Sequence, residues 1–341
     1  MQRILSRSIA AASCLLTVAA LQAARRPRYG GTLRIEVSRA IASLDPADVP
    51  SDPFEAALKD NILREIGPFR VAAWDPMKSV ALEANDAFPA GRPYLDRVEI
   101  QMNRSARDQS LDFELGKADI VELPLPDVRR IQQQGARISE SSPCLLLALV
   151  FESNRAGLDR IRQALALAID RPAIRNVLLQ KQGEISGALL PQWLSGYAFL
   201  FPSGRDLAKA KALGTPNTPV SLAWDARNPL LPPIAQRIIV DGAEAGVALR
   251  ATTEPGGDVR LVALRIASDD AAEALRLLGG SRAGDPQHLY EAERALIDSH
   301  RLIPLFHIPV AYEMSLAVQA WSTSPVGNWR LEDVWLEAVK P

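Results

Sequence analysis

The run from Cys144 to Phe151 constrains this chain more than any other stretch. It is continuously apolar and is bounded by Pro143 on one side and by polar residues on the other. Such a run reads as a strand covered on both faces, which calls for a layered α/β architecture rather than a one-sided sheet. The residues after it supply the covering. Ile161, Ala164, Leu165, Ala168 and Ile169 recur at three- and four-residue steps and form one helical stripe. Asp170 is placed to cap a second helix with Pro172 in its first turn, Ile174, Val177 and Leu178 as its buried face, and Gly183 to end it. The segment Pro191–Tyr197 is aromatic, turn-rich and without helical period.

The chain before this point alternates short strands and helices. Leu33, Ile35 and Val37 alternate as a half-buried strand, and Asp52–Glu65 forms one short helical segment. Phe69–Val71 and Ser79–Glu83 predict a hairpin around Asp75-Pro76, and Val98, Ile100 and Met102 a further strand. An amphipathic helix over Ser105–Leu115, a short strand at Ala118–Glu122 and a helix capped by Asp127 follow. Downstream, Val220–Trp224, Leu230–Ala245 and Val247–Thr252 predict a βαβ unit. Ile234, Ile238, Ile239 and Ala243 are its sheet-facing stripe, and a crossover of this length demands parallel strands. Ligands in such sheets sit beyond the carboxyl ends of strands, here at Trp224 and Asp225. Val259–Ile266 and Leu302–His307 read as further strands, and Asp269 and Asp270 as N-cap residues.

Composition narrows the function. With 341 residues and 48% hydrophobic content, the chain can bury the cores of about two domains. Lys and Arg number 39 against 40 Asp and Glu, a net charge of −1 that gives no electrostatic footprint for nucleic acid. Three histidines and two cysteines make a His/Cys metal cage an unsuitable reading, and no cofactor is expected. The G-x-S-x-G, H-E-x-x-H, C-x-x-C and G-x-x-x-x-G-K-[ST] patterns are all absent, so the sequence carries no enzymatic constellation. At the N-terminus, Arg3 and Arg7 precede a short apolar stretch and small residues at Ala19, Ala20, Ala23 and Ala24. Residues 1–24 therefore read as an export signal of the Sec type, with a lipid anchor at Cys14 as the alternative.

Wording then adds to patterning. Gly30-Gly31-Thr32-Leu33-Arg34-Ile35 with Ser43-Leu44-Asp45-Pro46 comes first. Next come Gly91-Arg92-Pro93-Tyr94-Leu95-Asp96-Arg97-Val98-Glu99-Ile100 and Ala118-Asp119-Ile120-Val121. Last in the series are the run from Ile161 to Ile174 and the stretch Ile303–Ser315. In this order they resemble the extracytoplasmic solute-binding proteins of family 5, the peptide, dipeptide and nickel-type receptors of ATP-driven importers. The chain departs from the family between Asp52 and Gly67, where relatives carry a long additional block.

The resemblance implies a two-lobed, type II periplasmic-binding-protein architecture with a ligand cleft between lobes. Lobe I would comprise 25–147 plus 310–341, without the additional block, and lobe II 148–309. It further implies a monomeric, periplasmic or extracytoplasmic protein that binds a peptide-like or other small solute and delivers it to an ABC permease. A reduced, non-transport sensor or envelope interaction protein is the alternative. The ligand-contacting candidates are Trp193, Tyr197, Trp224, Asp225, Arg265 and His307. Each has a plainer reading beside it: core packing for the aromatic residues, a satisfied strand end for His307 and a salt bridge for Arg265.

Overall fold

The computed structural model describes residues 26–153, 155, 157–214, 218–252, 257–281 and 284–337. The expectations for 1–24, Cys14 included, lie outside these residues.

Two sheets organise the molecule. The first is built from β1 (Thr32–Glu36), β2 (Phe69–Asp75), β3 (Ser79–Ala84), β4 (Arg97–Gln101), β5 (Ile120–Glu122), β6 (Arg137–Glu140) and β13 (Ala311–Met314), in the order β2-β3-β4-β1-β5-β13-β6. The second contains β7 (Leu145–Phe151), β8 (Glu184–Ile185), β9 (Val220–Trp224), β10 (Leu249–Ala251), β11 (Val259–Arg265) and β12 (Leu302–Ile308), in the order β10-β9-β11-β7-β12-β8. The chain passes from the first sheet to the second between Glu140 and Leu145, and returns between Ile308 and Ala311. The boundary expected at 147/148 falls inside β7, whose residues all pair within the second sheet.

The apolar run does become an interior strand, flanked antiparallel by β11 and β12. Its side chains alternate: Leu145, Leu147, Leu149 and Phe151 enter one core cluster, Leu146 and Ala148 another on the opposite face. The helix α3 (Leu158–Ala168) buries Ile161, Ala164, Leu165 and Ala168, as its spacing predicts. The βαβ unit also forms, with β9 and β10 parallel.

Four local expectations need correction. Asp170 does cap its turn by accepting the N–H of Ala173, but only Arg171–Ala173 is α-helical. A π-helical turn follows at Ile174–Leu178. The wider turn advances the register, so Leu179 is buried and Val177 is 64% exposed. In α4 (Leu231–Glu244) the buried stripe runs through Asp241 and Gly242, while Ala243 faces solvent. Gly242 lets Leu249 and Leu165 come within 3.1 and 3.2 Å of where a Cβ would stand. The helix α2 (Ala106–Glu114) has no apolar core face; Gln109 is its buried residue and accepts the N–H of Glu122 at 2.9 Å. Asp127 makes no capping hydrogen bond and instead accepts from Arg130.

One helix bears directly on the site. α1 (Pro53–Glu65) is started by Asp52, whose carboxylate accepts the N–H groups of Phe54 and Glu55. Leu58 and Ile62 sink into the first lobe's core, which also takes Trp321 and Trp329 from the C-terminal return. The Lys59 ammonium donates to the carbonyls of Asp45 and Asp48, and Asn61 Oδ1 accepts the N–H of Trp329 at 3.1 Å. α1 is therefore a fixed wall of the first lobe.

Candidate functional site: the cleft between the sheets

Where the chain crosses between sheets, a cavity of about 60 Å³ is enclosed by residues of both. Arg39, Glu122, Tyr312 and Trp329 line it from the first lobe, Leu145 and Arg265 from the second. Its size suits a few water molecules. A drug-sized ligand needs a pocket of about 300–1,000 Å³.

The rim is held by ion pairs. Arg227 reaches Asp52 at 2.9 Å and Glu55 at 3.2 Å across the cleft, and Asp225 at 3.2 Å beside it. Arg39 contacts Asp225 at 3.3 Å and lies 5.3 Å from the centroid of the Phe54 ring. Arg265 meets Asp60 at 2.9 Å and also donates to Asn328 Oδ1. Burial works to raise the Asp225 carboxyl, but the hydrogen bonds from Arg227 and the nearby Arg39 charge outweigh it and hold it below its ordinary value. The Glu122 carboxyl goes the other way. Burial lifts it, although the Ser38 N–H donates to it at 2.6 Å. Cys144, at the same crossing, is buried, and burial raises its thiol.

The six residues singled out by sequence fall into three places. Asp225 and Arg265 stand at the cleft, with Trp224 next to Asp225 at the end of β9 and half-buried. Trp193 is half-buried and donates its indole N–H to the Pro143 carbonyl at 3.0 Å, on the crossing segment. Tyr197 and His307 lie within the second lobe. His307 is 1% exposed and donates Nε2–H to the Leu189 carbonyl at 3.0 Å. Burial pushes its pKa down to about 4. Tyr197 stacks with Phe201 and Tyr290 beside the buried Glu293, whose Oε1 accepts the N–H groups of Leu189 and Leu190 at 2.6 and 2.9 Å. Burial and the neighbouring Glu293 raise the Tyr197 phenol.

Sequence reasoning missed Arg39, Asp52, Glu55, Glu122 and Arg227. The spacing Asp225-x-Arg227 was visible, but its main partner Asp52 lies 175 residues away. Among the described residues, no group of three or more His, Cys, Asp or Glu side chains could hold a metal ion. No described helix is long and apolar enough to cross a membrane.

Comparison with known proteins bears on this geometry. The chain is 30% identical over 149 residues to the oligopeptide-binding protein AppA of Bacillus subtilis, covering 42% of this chain and 26% of that protein. It is 26% identical over 216 residues to heme-binding protein A of Haemophilus influenzae, covering 57% and 38% respectively. The matched parts thus span well under half the length of these relatives. In fold, the chain is similar to the dipeptide-binding protein of Pseudoalteromonas sp. SM9913 solved with Met-Leu. The TM-score is 0.68 at 16% identity, over 84% of this chain and 69% of that one. The two-sheet α/β architecture is accordingly that of the type II periplasmic binding proteins. The profile of the bacterial extracellular solute-binding proteins, family 5 (middle part), matches residues 30–217. That match spans more than half of the chain, which belongs to this family of solute-binding proteins.

Proposed function

We propose that the chain is the substrate-binding component of an ABC importer. It takes a peptide-like or other small solute into the cleft between its two sheets and hands it to a membrane permease. The observation that carries this reading is the meeting of two separately built sheets at two main-chain crossings among the described residues, 141–144 and 309–310, with a cavity backed against them. Two crossings form a natural hinge, and a ligand bound between the lobes shifts an open–closed equilibrium. The lobes follow the two sheets, with 26–140 plus 310–337 around the first.

Binding needs no reacting group, and the cleft is lined by what recognition uses: apolar walls, Trp329 and Tyr312, and charged anchors, Arg39, Glu122 and Arg265. We assign Asp225, Arg265 and Trp224 to the ligand-facing rim and Trp193 to the hinge, and Tyr197 and His307 to the scaffold. The protein acts as an exported monomer without nucleic acid, its signal in residues 1–24. The single helix α1 between β1 and β2 supports a first lobe shorter than in relatives.

Relatives bind an oligopeptide, heme and Met-Leu by their names, so these form the first panel. A ligand present at a hundred times its Kd stabilises the protein by about 2.7 kcal/mol. Thermal denaturation should therefore show a saturable rise in Tm with one member of the panel. A flat response to oligopeptides, dipeptides and heme alike would overturn the importer reading.

A further inference from the structure

The first lobe places one acidic group in the cavity without an opposite charge against it. Glu122 ends β5 and stands directly across from Tyr312 of β13, so both side chains leave the same face of the first sheet and line the cavity. Glu122 Oε2 accepts the N–H of Ser38 at 2.6 Å, and the Ser38 hydroxyl and the Gln109 side chain beside it are neutral as well. Among the described residues, no lysine or arginine forms an ion pair with Glu122. The Arg39 guanidinium favours its charge only from a distance. Besides Asp225 of the second lobe, Arg39 is held within its own lobe by Asp52 at 3.9 Å and by the Phe54 ring.

The walls beside this carboxyl are aromatic. Trp329 donates its indole N–H to Tyr312 Oη at 3.1 Å, which leaves the Tyr312 O–H as a donor. Trp321 packs against both rings, with centroids 5.6 Å from Tyr312 and 6.0 Å from Trp329, and so fixes them. Burial and the Glu122 charge together raise the Tyr312 phenol, so carboxyl and ring act on the same space. A carboxyl among aromatic rings suits an ammonium group, which takes charge and hydrogen bonds from the carboxylate and a quadrupole attraction from the rings. Burial lifts the Glu122 carboxyl, and contact with a cation restores its charge. Glu122, Tyr312, Trp321 and Trp329 all belong to the first lobe, so the arrangement holds however far apart the two sheets stand.

We propose that Glu122 is the anchor for a cationic amine: the solute carries an ammonium group, which the first lobe takes at Glu122 beside Tyr312 and Trp329. This names the class of solute for the proposed cleft and rests on that reading. An anionic head in the same place meets Glu122 and is rejected.

Titrations of the whole protein with Met-Leu and with tri-alanine, each beside its N-acetylated form, test the anchor, because acetylation removes the ammonium charge. The free peptide should raise the Tm saturably, and its acetylated form should bind about tenfold more weakly or worse. Heme, which has no ammonium, should leave the Tm unchanged. Glu122→Gln keeps an acceptor for the Ser38 N–H and loses the charge. It should weaken the free peptide about ten- to a hundredfold, the worth of a charge-assisted hydrogen bond, and leave the acetylated one as it was. Glu122→Asp should recover part of the loss, and the acetylation arm on the wild type decides the matter even if a variant does not fold. Free and acetylated peptides that bind equally, a response to heme alone, or Glu122→Gln binding the free peptide as tightly as the wild type would each overturn the anchor and leave the solute reading standing. No response to any peptide or to heme would overturn the solute reading and the anchor with it.

Discussion

Two clusters of polar side chains in this molecule look alike in sequence and behave as opposites. One lies under the loop 186–201 in the second lobe, where Glu293, Tyr197 and His307 surround Leu189 and Leu190. The other is the cleft rim of Asp52, Glu55, Asp60, Arg227 and Arg265. In the first, side chains answer backbone groups of the same lobe and are sealed from water: Glu293 takes two N–H groups, and His307 takes a carbonyl. In the second, side chains answer each other across the two lobes and remain partly wet. Sealed bonds to backbone fix a fold, because breaking them strands a buried group. Wet charge pairs between bodies are weak and reversible. Burial and partner type separate scaffold from moving surface, while residue identity does not.

The sharpest way to break this contrast is Glu293→Ala. It strands two buried N–H groups, for an expected loss of about 4 kcal/mol in urea denaturation. Glu293→Gln keeps an acceptor and should cost about 1 kcal/mol. A loss below about 1 kcal/mol for Glu293→Ala would show that the carboxylate does not anchor the loop.

The same contrast runs along α1. Its first turn sits at the wet rim, whereas Glu65 at its end is buried against Leu331 and Glu332, and burial lifts its pKa from 4.5 to about 8. A carboxyl whose folded value lies above the unfolded one stabilises fully below about pH 4.5 and loses that contribution as pH rises through about 8. Glu65→Gln should remove the decline and exceed the wild type above pH 8 by on the order of 3 kcal/mol, measured as stability against pH.

His307 titrates in the opposite sense. Its folded pKa of about 4 lies below the ordinary 6.5, so its contribution is full above about 6.5 and is lost as pH falls through about 4. His307→Gln should flatten that acid loss by on the order of 2 kcal/mol, as urea midpoints at neutral and acid pH would reveal.

The smallest stability effect belongs to the rim. Arg227→Gln should change unfolding stability by less than about 1 kcal/mol, because its pairs are exposed. A loss as large as that of Glu293→Ala would make the rim scaffold and erase the comparison.

Much of the fold was legible. The run Cys144–Phe151 announced an interior strand, the stripe Ile161–Ala168 a buried helix face, and Val220–Thr252 a parallel βαβ unit. These signals are local, since period and chain direction decide which side of an element is wet. The family was legible in the ordered motifs of Gly30 onward, and the profile match over 30–217 bears that reading out. The π turn at Ile174–Leu178 was not legible, because an inserted residue in a helical turn leaves no mark in apolar spacing. Nor were the partners of Asp225 and Arg265 at the cleft.

By itself, then, the sequence determined most of the elements, the apolar faces of β7 and α3, and the family to which the chain belongs. Each rests on neighbours within a few turns of chain or on wording kept in order. Only the tertiary structure decided which charges meet, that α1 walls the cleft, and that Tyr197 packs against Phe201 and Tyr290 and His307 is buried within one lobe. Those outcomes depend on contacts between residues as far apart as Asp52 and Arg227, whose approach is set by the packing of two sheets and by no property of either residue alone.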